Sequence, residues 1–279
     1  MSHLDFELLS RINVISQDDG EKFTIKDRID VIKDELRDSQ YQVIAEKPLF
    51  YLYGKRTLQE LPEKLVVIST HIDCVDEITD FFTDRIDENI IKGTFDNSVT
   101  NYVAISLMLS GTLPENVIIA FTGDEERNSR GAKTLVEYLQ LLKKQPLVIS
   151  LDVTPMGFAE NLRFTIENNY WSELKYEEAI ITAANSVSER WRIVVADAEN
   201  IAASIPENRI LKDANGNPIE AWCDEAMEYH ESGVGTAFSL CLPVKGNMHS
   251  NRGVFTRIKS IMYYEKALGE LSTALSHCT

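Results

Sequence analysis

Three separated pieces of the chain carry side chains suited to holding cations. They are the His71-Ile72-Asp73 triplet at the end of one apolar run, the Asp124-Glu125-Glu126 cluster at the end of another, and His249 near the C-terminus. Asp96 and Asp152 fall between them. Together they supply two imidazoles and enough carboxylates for two divalent ions bridged by one carboxylate, with a further carboxylate free to act as a base. Taken singly, each piece has a plainer explanation. An isolated His-x-Asp is more often a strand-end histidine beside a solvated acid, and Asp96 before a helix is by itself a helix N-cap. Three adjacent acids after a buried strand are harder to explain, because they repel one another unless a cation or solvent screens them. Asp152, beside buried strand residues, has the same need for a counter-charge. His71 and Asp73, two apart on an extended chain, share a face, so Asp73 can take the second N–H of a metal-binding imidazole.

The elements that must position these residues follow from the periodicity. LVVIST (65–70), NVIIAFTG (116–123) and PLVISLDV (146–153) are short, continuous, β-branched runs, the pattern of strands buried on both faces. Helical stretches over 97–110 and 129–144 alternate with them. The expected fold is therefore a three-layer α/β domain: a mainly parallel, mixed sheet with helices on both faces. In such sheets ligands bind beyond the carboxyl ends of the strands. His71, the acidic cluster and Asp152 all fall at those ends. Further expectations are amphipathic helices over 4–16 and 22–38, paired strands YQVIAE and LFYLYGK split by Pro48, and RFTIEN and WRIVVAD flanking a helix over 172–187. The strand TAFSLCL and a closing helix over roughly 257–275 complete the pattern. Residues 196–222 are read as loop or lid. With no repeat and no linker, one domain spans 1–279.

Composition narrows the function classes. The 279 residues suffice for a full core, and 44% hydrophobic and 26% charged residues are ordinary for a globular protein. A formal net charge of −16 argues against nucleic acid as partner. No apolar stretch reaches the roughly 20 residues that span a bilayer, and the N-terminus lacks the basic and apolar regions of a signal peptide. Cys74, Cys223, Cys241 and Cys278 form no CxxC pair, as expected of reduced thiols in a reducing compartment. The expectation is a cytoplasmic protein. GxGxxG, P-loop and GxSxG motifs are absent. Cys74 reads as a small buried hydrophobe and His230, in DEAMEYHE, as a structural residue on a helix.

The order of the motifs resembles the two-zinc aminopeptidase superfamily: bacterial leucyl aminopeptidases and the tetrahedral and glutamyl aminopeptidases. The stretches that carry the resemblance are VVISTHIDCV, GTFDNSVTNYVAI, TGDEERNSRGA and CDEAMEYHESGVGTAFSLCLPVKGNMHS. It covers most of residues 65–255. The resemblance implies a first metal held by His71 and Asp152, a second held by Glu126 and His249, and Asp96 bridging the two. It makes Glu125 the general base, with Asp73 orienting His71. Gly131-Ala132 fixes this register, making Glu125-Glu126 the matching pair. A cis peptide between Asp96 and Asn97 is also implied. The metals implied are zinc, with cobalt or manganese as alternatives, and the substrate a short peptide losing its N-terminal residue. Homo-oligomerisation is left open. Asp224-Glu225 resembles a family segment near the substrate, with a helix N-cap as the alternative reading, and Arg252, just after His249-Ser250, can bind a substrate carboxylate or simply a surface acid.

Two departures stand out. Tetrahedral members insert a domain between His-x-Asp and the bridging Asp, where this chain has only 74–95. Members often place a Tyr just before the final His, where this chain has Asn247 and Met248. Two alternatives stay open: an amidohydrolase, deacylase or carboxypeptidase with the same metal chemistry, and an inactive metal-binding relative.

Overall fold

The computed structural model describes residues 4–14, 26–159, 161–167, 192–193, 225–233 and 236–277. The helix expected over 172–187, the segment 196–222, Asp224, Cys223 and Cys278 lie outside the described residues.

The chain opens with α1 (Phe6–Ile12), begun by Asp5, whose side chain accepts the Leu8 backbone N–H at 2.9 Å, an N-cap bond. α2 (Lys26–Glu35) buries Ile29 and Ile32 on one stripe. A hairpin follows, β1 (Gln42–Lys47) and β2 (Phe50–Gly54), turning at the expected Pro48. Then come β3 (Lys64–His71), β4 (Thr83–Arg85), β5 (Ile90–Gly93) and α3 (Ser98–Ser110), the last closed by Gly111 at φ 68°. β6 (Val117–Thr122), the one-turn α4 (Glu125–Asn128), α5 (Arg130–Leu141) and β7 (Gln145–Thr154) complete the first half. The remaining described elements are β8 (Thr165–Glu167), β9 (Arg192–Ile193), α6 (Glu225–Glu231), β10 (Thr236–Pro243), β11 (Lys245–Gly246), β12 (Val254–Arg257) and α7 (Ile258–Ser276).

The main sheet has eight strands in the order β1-β2-β6-β3-β7-β10-β8-β9. Its centre is parallel: β3 lies between β6 and β7, and β10 continues beyond β7. β2 joins β6, and β8 joins β10, antiparallel. The continuous apolar runs are explained by the two helical layers. Val66 and Ile68 face one layer with α1, α2, α3 and α7, while Leu65 and Val67 face the other with α5 and α6. Alternate side chains therefore enter different cores, and neither face of the strand has room for a charge.

A second sheet was not anticipated. The 74–95 stretch, read only as a short connection, contains β4 and β5, which pair with β12 and β11 in the order β11-β12-β5-β4, antiparallel throughout. These strands are two to four residues long, too short for an alternating pattern to declare itself. Their role is positional, since β11 and β12 bracket the loop that carries His249.

Candidate metal centre

Because β3, β6 and β7 are parallel, their carboxyl ends open on one edge of the sheet. His71 ends β3 and pairs with Thr122 at the end of β6. Its backbone carbonyl accepts the Asn101 side-chain amide at 3.1 Å, and the next carbonyl, that of Ile72, accepts Arg28 Nη1 at 3.0 Å. The imidazole is buried, with Nδ1 3.4 Å from Asp73 Oδ1.

Asp96 is not a helix cap. Asn97 occupies the N-cap position of α3 and makes no side-chain cap bond, and the Asp96–Asn97 peptide is cis. The Asn97 amide instead donates to the Leu151 carbonyl at 2.8 Å, which ties the start of α3 to β7 one residue before Asp152. The Asp96 carboxylate faces two imidazoles at once. Oδ1 lies 3.4 Å from His71 Nε2 and Oδ2 lies 3.3 Å from His249 Nε2. Asp152 Oδ1 is 3.8 Å from His71 Nε2, and Glu126 Oε2 is 3.3 Å from His249 Nε2.

After β6 the chain turns through Gly123 and Asp124, the latter left-handed at φ 63°, into α4. Ser129, at φ 48°, reverses it into α5. Gly131 closes this turn by donating its N–H to the Gly123 carbonyl at 2.9 Å. A Cβ at Gly131 would lie 2.4 Å from that same oxygen, so only glycine permits the approach. The Gly-Ala that sets the register of the glutamate pair in the sequence is thus a packing requirement. The Glu126 backbone N–H donates to Asp73 Oδ2 at 3.3 Å, and Arg127 forks onto Asp76 with both contacts at 2.7 Å. Asp124 turns away from the imidazoles and lies 3.2 Å from Arg130 Nε.

His249 sits in the loop between β11 and β12 and is half exposed. Asn251, two residues on, fixes that loop: its Oδ1 accepts the N–H groups of Thr79 and Asp80 at 2.8 and 2.9 Å, and its Nδ2 donates to the Glu77 carbonyl at 3.2 Å. Arg252 lies exposed in the same loop and makes no ion pair among the described residues.

Three of the imidazole–carboxylate separations are 3.3–3.4 Å, longer than a good charged hydrogen bond. Two ligand atoms on one tetrahedral zinc, each about 2.1 Å from the ion, stand ~3.4 Å apart. One ligand atom each from His71, Asp96 and Glu126 all lie within 4.8 Å of one another. Asp96 Oδ1 and Glu126 Oε1 are buried without a hydrogen-bond partner, a costly state for polar atoms that coordination removes. His71, Asp96 and Glu126 thus fit a divalent cation.

The electrostatics agree. Burial pushes the Glu126 carboxyl up to about 10, helped by Asp96, Glu125 and Asp73 nearby and opposed by His71. Burial likewise raises Glu125 and Asp152, against the pull of His71. Burial opposes the charged form of His71, but Asp152, Asp73 and Asp96 outweigh it and raise the imidazole. Asp96 is buried too, yet His249 and His71 hold it well below the usual carboxylate range. His249 is raised mainly by Asp96. Protons here do the work of counter-ions, and cation binding would release them.

Several residues of this region escaped the sequence analysis: Arg28, Asn101 and Asn251; Glu225, expected near the substrate or at a helix N-cap, begins α6 with its carboxyl buried. Glu225 Oε2 accepts Ser69 Oγ at 2.7 Å, and Ser69 Oγ also contacts Tyr229 Oη at 3.0 Å. The available signal was the run of polar residues, Asn97, Ser98, Thr100 and Asn101, at the head of an otherwise apolar helix, all of them buried.

No protein-family model matches the chain, and no curated protein matches it significantly. Solved structures do match in fold. A TET aminopeptidase from a marine-sediment Thaumarchaeota archaeon superposes with a TM-score of 0.69 at 10% identity, covering 95% of each chain. The Pyrococcus horikoshii TET1 peptidase, which assembles into a tetrahedron or an octahedral shell, gives 0.62 at 12% identity over 92% of this chain and 97% of its own. A Thermotoga maritima protein named as an endoglucanase gives 0.57 at 14% identity over 98% of both chains. The fold is that of these proteins. Their names differ in the reaction they report, so the side chains must decide it.

Proposed function

We propose that the chain is a two-metal aminopeptidase that removes the N-terminal residue from short peptides. The observation that carries this reading is the Asp96 carboxylate, with one oxygen toward His71 and the other toward His249, while the same two imidazole nitrogens face Asp152 and Glu126 respectively, at spacings suited to shared coordination. On this reading His71 and Asp152 would hold one ion and Glu126 and His249 the other, with Asp96 shared between them. Two divalent ions held there, zinc foremost and cobalt or manganese as alternatives, would supply polarisation of a scissile carbonyl and acidification of water.

The chain's own residues supply the rest. Glu125 stands beside the proposed ligands at the start of α4, and among the described residues its side chain forms no ion pair. A carboxylate so placed can take a proton from the attacking water and return it to the departing amine. Asp73 orients His71 through Nδ1. The excess of carboxylates around Asp96 favours a substrate bearing a free ammonium group.

A second reading keeps the metals and changes the substrate. Arg252, exposed in the loop of His249, favours a carboxylate-bearing substrate, as for a carboxypeptidase or a deacylase of N-acyl amino acids. Turnover of aminoacyl anilides and of N-acyl amino acids by zinc-, cobalt- and manganese-loaded protein separates the two. Anilide turnover alone supports the aminopeptidase; N-acyl turnover that Arg252→Ala abolishes supports the second reading. Absence of both, with two ions bound, leaves a metal-binding relative without catalysis. Cytoplasmic residence is part of the proposal, supported by the free thiol of Cys74. So is self-assembly, by analogy with the TET1 peptidase of the same fold.

A further inference from the structure

Arg28, on α2, is the largest fully buried side chain among the described residues, at 0% exposure. An arginine so placed normally meets a carboxylate, because an unpaired buried charge is strongly destabilising. Arg28 has no ion-pair partner among the described residues. Its Nη1 donates to the Ile72 carbonyl at 3.0 Å, its Nη2 to the Val14 carbonyl at 3.3 Å, and its Nε has no partner. The guanidinium carbon lies 6.0 Å from the centre of the Phe81 ring. Ile72 is the middle residue of the His71-Ile72-Asp73 triplet, so the guanidinium stands directly behind the proposed centre.

We propose that Arg28 is a positioning residue and internal counter-cation: it fixes the turn between His71 and Asp73 and supplies a permanent positive charge that steadies the acid cluster when no metal is bound. The inference rests on the two-metal reading. The charge is permanent because guanidinium does not deprotonate in proteins. Burial works against it, while Cys74, Asp73, Asp96 and Glu126 favour it. Among the acids of the centre, those three are the ones whose negative charge the guanidinium feels and offsets. In a poorly screened interior the same charge must also oppose entering cations. Arg28 therefore trades metal affinity for stability of the metal-free protein, and that trade is what distinguishes it from a residue that only packs.

The test compares wild type with Arg28→Met and Arg28→Lys in the full chain. Thermal unfolding is followed with and without zinc, and zinc affinity is measured by competition with a chelator. Arg28→Met should melt lower than wild type without metal, show a larger upward shift on zinc addition, and bind zinc about tenfold tighter or more. Arg28→Lys, which keeps the charge, should match wild-type zinc affinity within about threefold. Equal losses for Arg28→Met with and without zinc, or weaker zinc binding, would overturn the proposal. If Arg28→Met does not fold, Arg28→Met combined with Asp73→Asn, which removes one negative charge with the positive one, should fold; failure of the double variant also overturns it. A wild-type protein whose melting zinc does not shift would instead overturn the two-metal reading itself.

Discussion

Asp73 and Glu126, 53 positions apart, are joined by a hydrogen bond from the Glu126 backbone N–H to Asp73 Oδ2 at 3.3 Å. The other oxygen of the same carboxylate lies 3.4 Å from His71 Nδ1. One side chain thus sets the orientation of a proposed ligand of the first ion and the backbone of a proposed ligand of the second. Asp73→Asn keeps the shape and removes the charge. It should weaken metal retention by about 10–100-fold, the range for outer partners of metal ligands, and chelator titration should show both ions affected. Loss confined to one ion would separate the two contacts.

The stoichiometry follows from Asp96. Protein loaded and then freed of excess metal should carry two ions per chain. Asp96→Ala should retain fewer than one, since both sites lose an oxygen. Elemental analysis decides: saturation at one ion in wild type, with that ion kept in Asp96→Ala, would end the bridging assignment.

The neighbouring glutamates should part company. Glu125→Gln cannot take up a proton but preserves size, so turnover should fall roughly 10²–10⁴-fold with metal content unchanged. Glu126→Gln should lose an ion together with activity. The reverse pattern would mean that the register through Asp124-Glu125-Glu126 is shifted by one, with Asp124 as the base.

Glu225 predicts a pH dependence of stability. Burial raises its carboxyl to about 7 from an ordinary value of 4.5, against the opposing influence of nearby Thr122, His71 and Ser69. Between those values the folded protein keeps a proton that the unfolded chain has released. Its contribution is therefore complete below about pH 4.5 and declines as the pH rises through 7. Glu225→Gln removes the dependence. In urea unfolding of chelator-treated protein, the variant should gain roughly 3 kcal/mol on wild type between pH 4 and pH 8. A gap that stays constant with pH would show that this carboxyl titrates normally.

The edge that carries the candidate site was legible in the sequence because two independent patterns coincided there. Continuous β-branched runs announced buried strands, and acids or histidines ended each run, so His71, Asp124-Glu125-Glu126 and Asp152 could be placed on one edge before any coordinates were known. Positioning residues were a different matter. Arg28 looked like one of many charges on an amphipathic helix, and Asn101 like an impurity in an apolar one. What makes each important is a hydrogen bond to a backbone carbonyl 44 or 30 positions away, and backbone carbonyls carry no sequence signature. The small sheet was hidden for a related reason, because its strands are held by partners from distant parts of the chain and not by their own periodicity.

The distances along the chain between the residues that meet at Asp96 have a kinetic consequence. His71 and Asp152 arrive on β3 and β7, while His249 arrives on a hairpin loop that closes only when β12 has paired with β5. Large loops must therefore close before the two imidazoles face one carboxylate. An ion has little to grip until that docking is done, so it cannot act as a nucleus for folding. Its stabilisation belongs to the unfolding barrier: added zinc should leave the refolding rate nearly unchanged and make the folded chain slower to come apart.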